Sequence, residues 1–152
     1  MTTTDTFLRD TLQSTRVIAV VGFSPDPSRP SHYVAEFLRA QGYRVIPVNP
    51  GQAGKSFLGE TVVARLTDIP ADIHVDMVDI FRKPEAVPGV VEEAMAALPH
   101  LRTIWMQLGI AHEGAAETAR HAGLAVVEDR CPKMEIPRLF GGASPLEGVP
   151  EV

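Results

Sequence analysis

The sequence predicts an α/β domain: a doubly wound, mostly parallel five-stranded sheet with helices on both faces. Three observations predict it. Residues 17–21 are apolar, mostly β-branched and without polar alternation, the pattern of a strand buried on both faces. Strand-like runs then alternate with helical stripes along the chain, joined by short connections. The 152 residues, finally, suit one domain, and no linker is long enough to separate a second.

Residues 4–15 read as an amphipathic helix with Phe7, Leu8, Thr11 and Leu12 on one stripe, expected to cover an edge or face of the domain. The first strand, residues 17–22, follows. Residues 23–30 carry three prolines, so neither helix nor strand can form there. Ser31 is then the expected N-cap of a helix with Tyr33, Val34, Phe37 and Leu38 on its apolar stripe, closed by Gly42. Residues 44–49 form the second strand, with one ladder donor missing at Pro47. A Gly-rich loop covers residues 50–55, and residues 61–66 read as a short helical turn or small element. The third strand spans 73–81, and a helix spans 84–98 with Val87, Val91, Ala94 and Leu98 on one side. Pro88 is tolerable only in the first turn. A fourth strand at 103–108, a small-residue helix at 113–122 stopped by Gly123, and a fifth strand at 124–128 complete the alternation. Residues 131–140 are a last helix or irregular. The folded domain thus occupies residues 1–140, residues 1–16 supplying its first helix, and residues 141–152 are expected to be a flexible tail.

Composition narrows the function. The net charge is −5, which argues against a non-specific nucleic-acid or membrane-surface binder. The longest apolar run is far too short to cross a bilayer, and the amino terminus lacks the basic and apolar regions of a signal peptide. The single cysteine, Cys131, permits no internal disulfide and suits a reducing, cytoplasmic location.

The total charge hides an uneven distribution. Of fourteen basic residues only Lys55, Lys83 and Lys133 are lysine. All three fall in or beside loops at the carboxyl ends of predicted strands, where open α/β sheets bind ligands. Arg29, Arg82 and Arg130 fall there too. That gathering predicts a site for a multiply phosphorylated small molecule. The loop before the second helix fits it: Ser24, Ser28, Arg29 and Ser31 surround a helix start, whose free amides and dipole favour an anion. A nicotinamide dinucleotide would ask for Gly-x-Gly-x-x-Gly after the first strand and an acid after the second. This chain has Gly22 alone and Asn49 instead. The Gly54-Lys55-Ser56 sequence lacks the spacing of a Walker loop and follows the wrong strand.

Several segments together, in order and at consistent spacing, carry a resemblance: Gly22-Phe23-Ser24, Ser28-Arg29-Pro30-Ser31, Gly42 to Pro50, Val78 to Arg82, Trp105 to Gly109 and Asp129-Arg130-Cys131. Over roughly residues 10–140 the chain resembles the stand-alone CoA-binding proteins, which are similar to the amino-terminal domain of the succinyl-CoA synthetase α subunit. The resemblance implies a Rossmann-like domain binding coenzyme A or an acyl-CoA. It implies that the loop from Gly22 to Ser31, Phe23 and Pro30 included, holds phosphates. Asn49, Pro50 and the following Gly-rich stretch would line the nucleotide. Phe81, Arg82 and Lys83, with Gln107 and Gly109, would complete the pocket. Lys55 stands in the loop where the synthetase carries a lysine nearer the place of Gln52.

A catalytic reading finds little footing. Asp76 and Asp79 have opposite parity on one strand, so they cannot form a carboxylate dyad. Asp79, nearer the strand's end, is the better site candidate, as an acid orienting loop amides. His32 and His112 read as helix-start residues, and His74, His100 and His121 lack metal-ligand spacing. Trp105 reads as buried sheet packing. Cys131, beside Arg130 and Lys133, is the one nucleophile candidate, for thiol chemistry near the pantetheine end. The resemblance covers a binding domain without the synthetase's catalytic companions. The expectation is a non-catalytic carrier, sensor or regulator. The alternatives are a Cys131 thiol enzyme and a nicotinamide-dinucleotide-binding regulator. Protein partners and oligomeric state are not legible.

Overall fold

The computed structural model describes residues 3–148. In chain order the main elements are α1 (Asp5–Ser14), β1 (Val17–Val21), α2 (Pro30–Ala40), β2 (Arg44–Val48), β3 (Ser56–Phe57), β4 (Glu60–Thr61), β5 (Met77–Ile80), α3 (Val87–Ala97), β6 (Thr103–Met106), α4 (Glu113–His121), β7 (Ala125–Val127) and α5 (Pro132–Phe140). Five strands form one parallel sheet in the order β2-β1-β5-β6-β7, the flavodoxin-like variant of the doubly wound fold.

Alternate residues along each strand bury opposite faces. Ala19, Val78, Ile80, Ile104 and Met106 pack on one face with Val87, Val91, Ala116 and Ala119 of α3 and α4. Ile18, Val20, Met77 and Trp105 pack on the other with Leu8, Leu12, Val34, Leu38 and Ile136 of α1, α2 and α5. The unalternating β-branched runs are thus explained by two covered faces. Among the described residues no helix is long and apolar enough to cross a membrane.

The structure corrects or completes four local expectations. Helix α2 begins at Pro30, with Arg29 as N-cap and no side-chain cap bond. Pro30 takes the first helical position, where its missing N–H and fixed φ cost nothing. Ser31 therefore lies inside the first turn and is not the cap. Residues 61–66 are not a helical turn: β3 and β4 pair antiparallel, and Val63 bridges to Val48 along the outer edge of β2. The third strand is shorter than expected because Asp76 turns its carboxylate onto the Arg16 and Val17 amides at 3.0–3.2 Å, closing the sheet's amino end. The segment 131–140, helix or irregular by sequence, is helical from Pro132 despite Pro137 inside it.

Beyond α5 the chain returns to the end of α2. Ser144 Oγ donates to the Gln41 carbonyl at 2.6 Å, and Leu146 packs on the α2 side of the core. The remainder of the expected tail, residues 149–152, lies outside the described residues.

Candidate functional site

The direction of chain winding reverses between β1 and β5, because β2 lies on one side of β1 while β5, β6 and β7 follow on the other. Loops leaving β1 and β5 diverge there and open a crevice above the sheet's carboxyl edge. Gly22 sets how closely they approach. Its N–H and that of Phe23 both donate to Val48 O, at 3.0 and 3.2 Å, while Phe81 N donates to Val21 O at 2.8 Å. Gly22 has φ +89°, and a Cβ there would lie 2.4 Å from Phe81 O. Only glycine allows both the conformation and the contact.

The crevice has a volume of about 440 Å³. Its walls are Gly22, Ser24, Arg29, Pro30 and Ser31 from the β1 loop, Phe81, Arg82 and Lys83 from the β5 loop, and Gln107, Leu108 and Ile110 after β6. The first turn of α2 thus faces it with the positive end of the helix dipole. Ser31 Oγ accepts the Ser24 N–H at 2.9 Å, folding the loop over the helix start. Asp26, the acid of this loop, is held by the Ser28 amide and hydroxyl at 3.0 and 2.8 Å. Those bonds keep its carboxyl below the usual carboxylate range.

A second cleft of about 400 Å³ shares Gly22 and Arg82 with the first and continues along Asn49, Pro50, Gly51 and Arg65. Asn49 joins the two: its Nδ2 donates to Phe23 O at 2.6 Å, and its Oδ1 accepts the Gly51 N–H at 2.8 Å.

The structure gathers Gly22, Ser24, Arg29, Pro30, Ser31, Phe81, Arg82, Lys83 and Gln107 around one space, with Asn49 and Pro50 in the adjoining one. Other candidates stand apart. Phe23 is buried, its ring 4.3 Å from Phe57 and 5.6 Å from His32. Ser28 serves Asp26. Lys55 Nζ donates to Gln52 Oε1 at 2.8 Å. Gly109, at φ +83°, donates its N–H to Asp129 Oδ1 at 2.6 Å and shapes the turn.

The basic residues divide likewise. Arg130 pairs with Glu135 at 2.6 Å, and Lys133 Nζ sits 5.4 Å from the Phe37 ring centre. Arg44, Arg120 and Arg138 also have acidic partners. Among the described residues Arg29, Arg82 and Lys83 have none within ion-pair distance. Cys131 is buried as the N-cap of α5, and of the two cations expected beside it Arg130 is committed to Glu135 and Lys133 is turned onto Phe37. The two helix-start histidines cap and brace: His112 Nδ1 accepts the Ala115 N–H at 3.0 Å, and His32 Nδ1 lies 3.0 Å from Ser24 O.

Asp79 does not orient loop amides. It is wholly buried and neither oxygen has a partner, and burial alone pushes its pKa well above the ordinary range. Gln107 is 5% exposed, and its Oε1 is buried without a partner. Sequence reasoning passed over Ile110 and Arg65. The sequence signal for Arg65 was the glycine of Leu58-Gly59. In the structure both residues have positive φ and make the two-residue turn of the β3–β4 hairpin, which brings the following segment beside β2.

Comparison with known proteins places this architecture. The curated protein YneT of Bacillus subtilis (strain 168), described as uncharacterized, is 36% identical over 127 residues, 84% of this chain and 90% of its own length. A solved structure from Thermus thermophilus is 43% identical with a TM-score of 0.83, covering 91% of this chain and all of that one. A hypothetical protein from Pyrococcus horikoshii OT3 is 34% identical with a TM-score of 0.82, covering 91% and 94%. With a family model described as "CoA binding domain" matching residues 16–137, the chain, a single Rossmann-like α/β domain, belongs to the CoA-binding domain family.

Proposed function

We propose that this protein binds coenzyme A or an acyl-CoA across the two clefts that meet at Gly22, as a carrier, sensor or regulator without chemistry of its own. One observation carries the reading. Three cations without acidic partners, Arg29, Arg82 and Lys83, surround the positive end of α2 at the point where the sheet reverses. Coenzyme A presents a diphosphate and a 3′-phosphate, a polyanion that several separated cations and helix amides match. In this reading the phosphates lie between the β1 and β5 loops, and the adenosine lies toward Asn49, Pro50 and Arg65. Family membership supports the ligand class.

Calorimetric titration with CoA, dephospho-CoA and NAD tests the reading. CoA is expected to bind, dephospho-CoA about tenfold or more weakly, since a phosphate salt-bridged to Arg or Lys contributes roughly that factor, and NAD not measurably. Binding of NAD without CoA would sink the proposal. Equal affinity for CoA and dephospho-CoA would remove the three-cation account of the 3′-phosphate.

A further inference from the structure

We propose that the far end of the ligand is an uncharged aliphatic acyl thioester, in preference to a bare thiol or a dicarboxylic ester. This rests on the reading of the two clefts given above. Strand order fixes the order of the loops along the rim: Asn49 belongs to β2, Arg29 to β1, Arg82 and Lys83 to β5, Gln107 to Ile110 to β6. A ligand with its nucleotide over β2 and its phosphates between β1 and β5 sends its remaining arm toward β6 and β7.

The surface changes character along that path. Leu108 and Ile110 line the crevice, and Leu108 is 54% exposed. Met134, in the first turn of α5 at the same rim, is 60% exposed. A single exposed leucine on a turn is ordinary; here it continues a ligand crevice that the half-buried Ile110 also lines. The two loops are joined. Gly109 N donates to Asp129 Oδ1 at 2.6 Å, and Asp129 N donates to Ile110 O at 3.0 Å. The lip is therefore held in place. Between the cations and this lip stands Gln107, whose buried Oε1 has no partner and is an acceptor suited to the N–H groups of a pantetheine arm.

The same region disfavours a charged acyl group. Arg130 is taken by Glu135, Lys133 lies over Phe37, and Asp129 places a carboxylate on the turn itself. A terminal carboxylate would meet one anion on the turn itself, while of the two cations Arg130 is already paired and Lys133 is turned onto the Phe37 ring.

The test is calorimetric titration of the full chain with CoA, octanoyl-CoA and succinyl-CoA at one salt concentration, repeated with Leu108→Ser. Octanoyl-CoA is expected to bind about tenfold more tightly than CoA, near what covering two methylene groups gives, and succinyl-CoA no more tightly than CoA. Leu108→Ser, at an exposed position, should cut the octanoyl-to-CoA ratio below about threefold by the same apolar-contact argument. Equal binding of CoA and octanoyl-CoA, preference for succinyl-CoA, or a ratio indifferent to Leu108→Ser overturns the acyl proposal and leaves the CoA reading standing. Failure of all three compounds to bind overturns that reading instead.

Discussion

The two halves of the sheet's carboxyl rim carry similar basic residues and make opposite use of them. On the β1–β5 half, Arg29, Arg82 and Lys83 line an open crevice without acidic partners. On the β6–β7 half, Arg130 is joined to Glu135 at 2.6 Å, and Lys133 lies 5.4 Å from the Phe37 ring centre. A basic side chain already facing a carboxylate has little field left for a phosphate, whereas one facing only solvent and a helix start keeps it. Charge available to a ligand is therefore a property of pairing, which neither net charge nor a count of lysines reports. In the proposed reading the difference also orients the ligand, with anions on one half and apolar chain on the other.

The largest expected effect comes from closing the gap that separates the clefts. Gly22→Ala places a Cβ 2.4 Å from the Phe81 carbonyl and asks alanine for φ +89°. Gly54 has nearly the same φ, +88°, and a Cβ added there would meet nothing within 4 Å. Gly54→Ala should cost only left-handed strain, about 1–2 kcal/mol. Gly22→Ala should cost about 3 kcal/mol or more, because backbone must move as well. Urea unfolding of both variants checks this. Equal costs would mean that the β1–β5 contact yields easily and does not shape the crevice.

Next in size are charge reversals on the rim. Arg82→Glu should weaken CoA binding about 10–100-fold at low salt, and by less near 0.5 M salt, where screening shortens the reach of the charge to about 4 Å. Arg44→Glu, at a residue bonded to Glu60 at 2.8 Å and belonging to neither cleft, is the control. It should leave CoA affinity within about twofold, a surface pair at this distance contributing little. Similar losses for the two variants would erase the distinction between paired and unpaired cations.

Much of this fold was legible because its signals are local and repeated. The unbroken run from Val17 to Val21, the proline-rich loop and Gly42 each state their own conformation. The crevice was legible to a degree, because strand ends predict which loops meet. What could not be read were features that a distant residue or a competing neighbour decides. Ser31 looks like a cap until Pro30 takes the first helical position. The β3–β4 hairpin has two residues per strand, too few to show a period, and is held by backbone bonds such as Val63 N to Pro47 O at 3.0 Å. Lys55, Arg130 and Lys133 look alike in sequence. Only the fold assigns them to Gln52, Glu135 and Phe37.

Asp79 extends the contrast from cations to an acid. Unpaired cations on the rim cost little because water solvates them, but a carboxyl buried on β5 between β1 and β6 without a partner has no such relief for its charged form. Burial raises its pKa well above the ordinary range, so the folded chain holds a proton that the unfolded chain releases near pH 4. Between those two values the folded state binds more protons, and stability must fall as pH rises. The slope from this one group is at most about 1.4 kcal/mol per pH unit. Asp79→Asn has no proton to lose and escapes that slope. Urea unfolding of both proteins at pH 5 and pH 8 isolates the effect, because groups common to the two cancel in the difference. The advantage of Asp79→Asn should grow by at least about 1 kcal/mol between the two pH values. A difference that stays constant would mean that the buried acid finds a compensating partner, and that the contrast between exposed and buried unpaired charge does not hold in this protein.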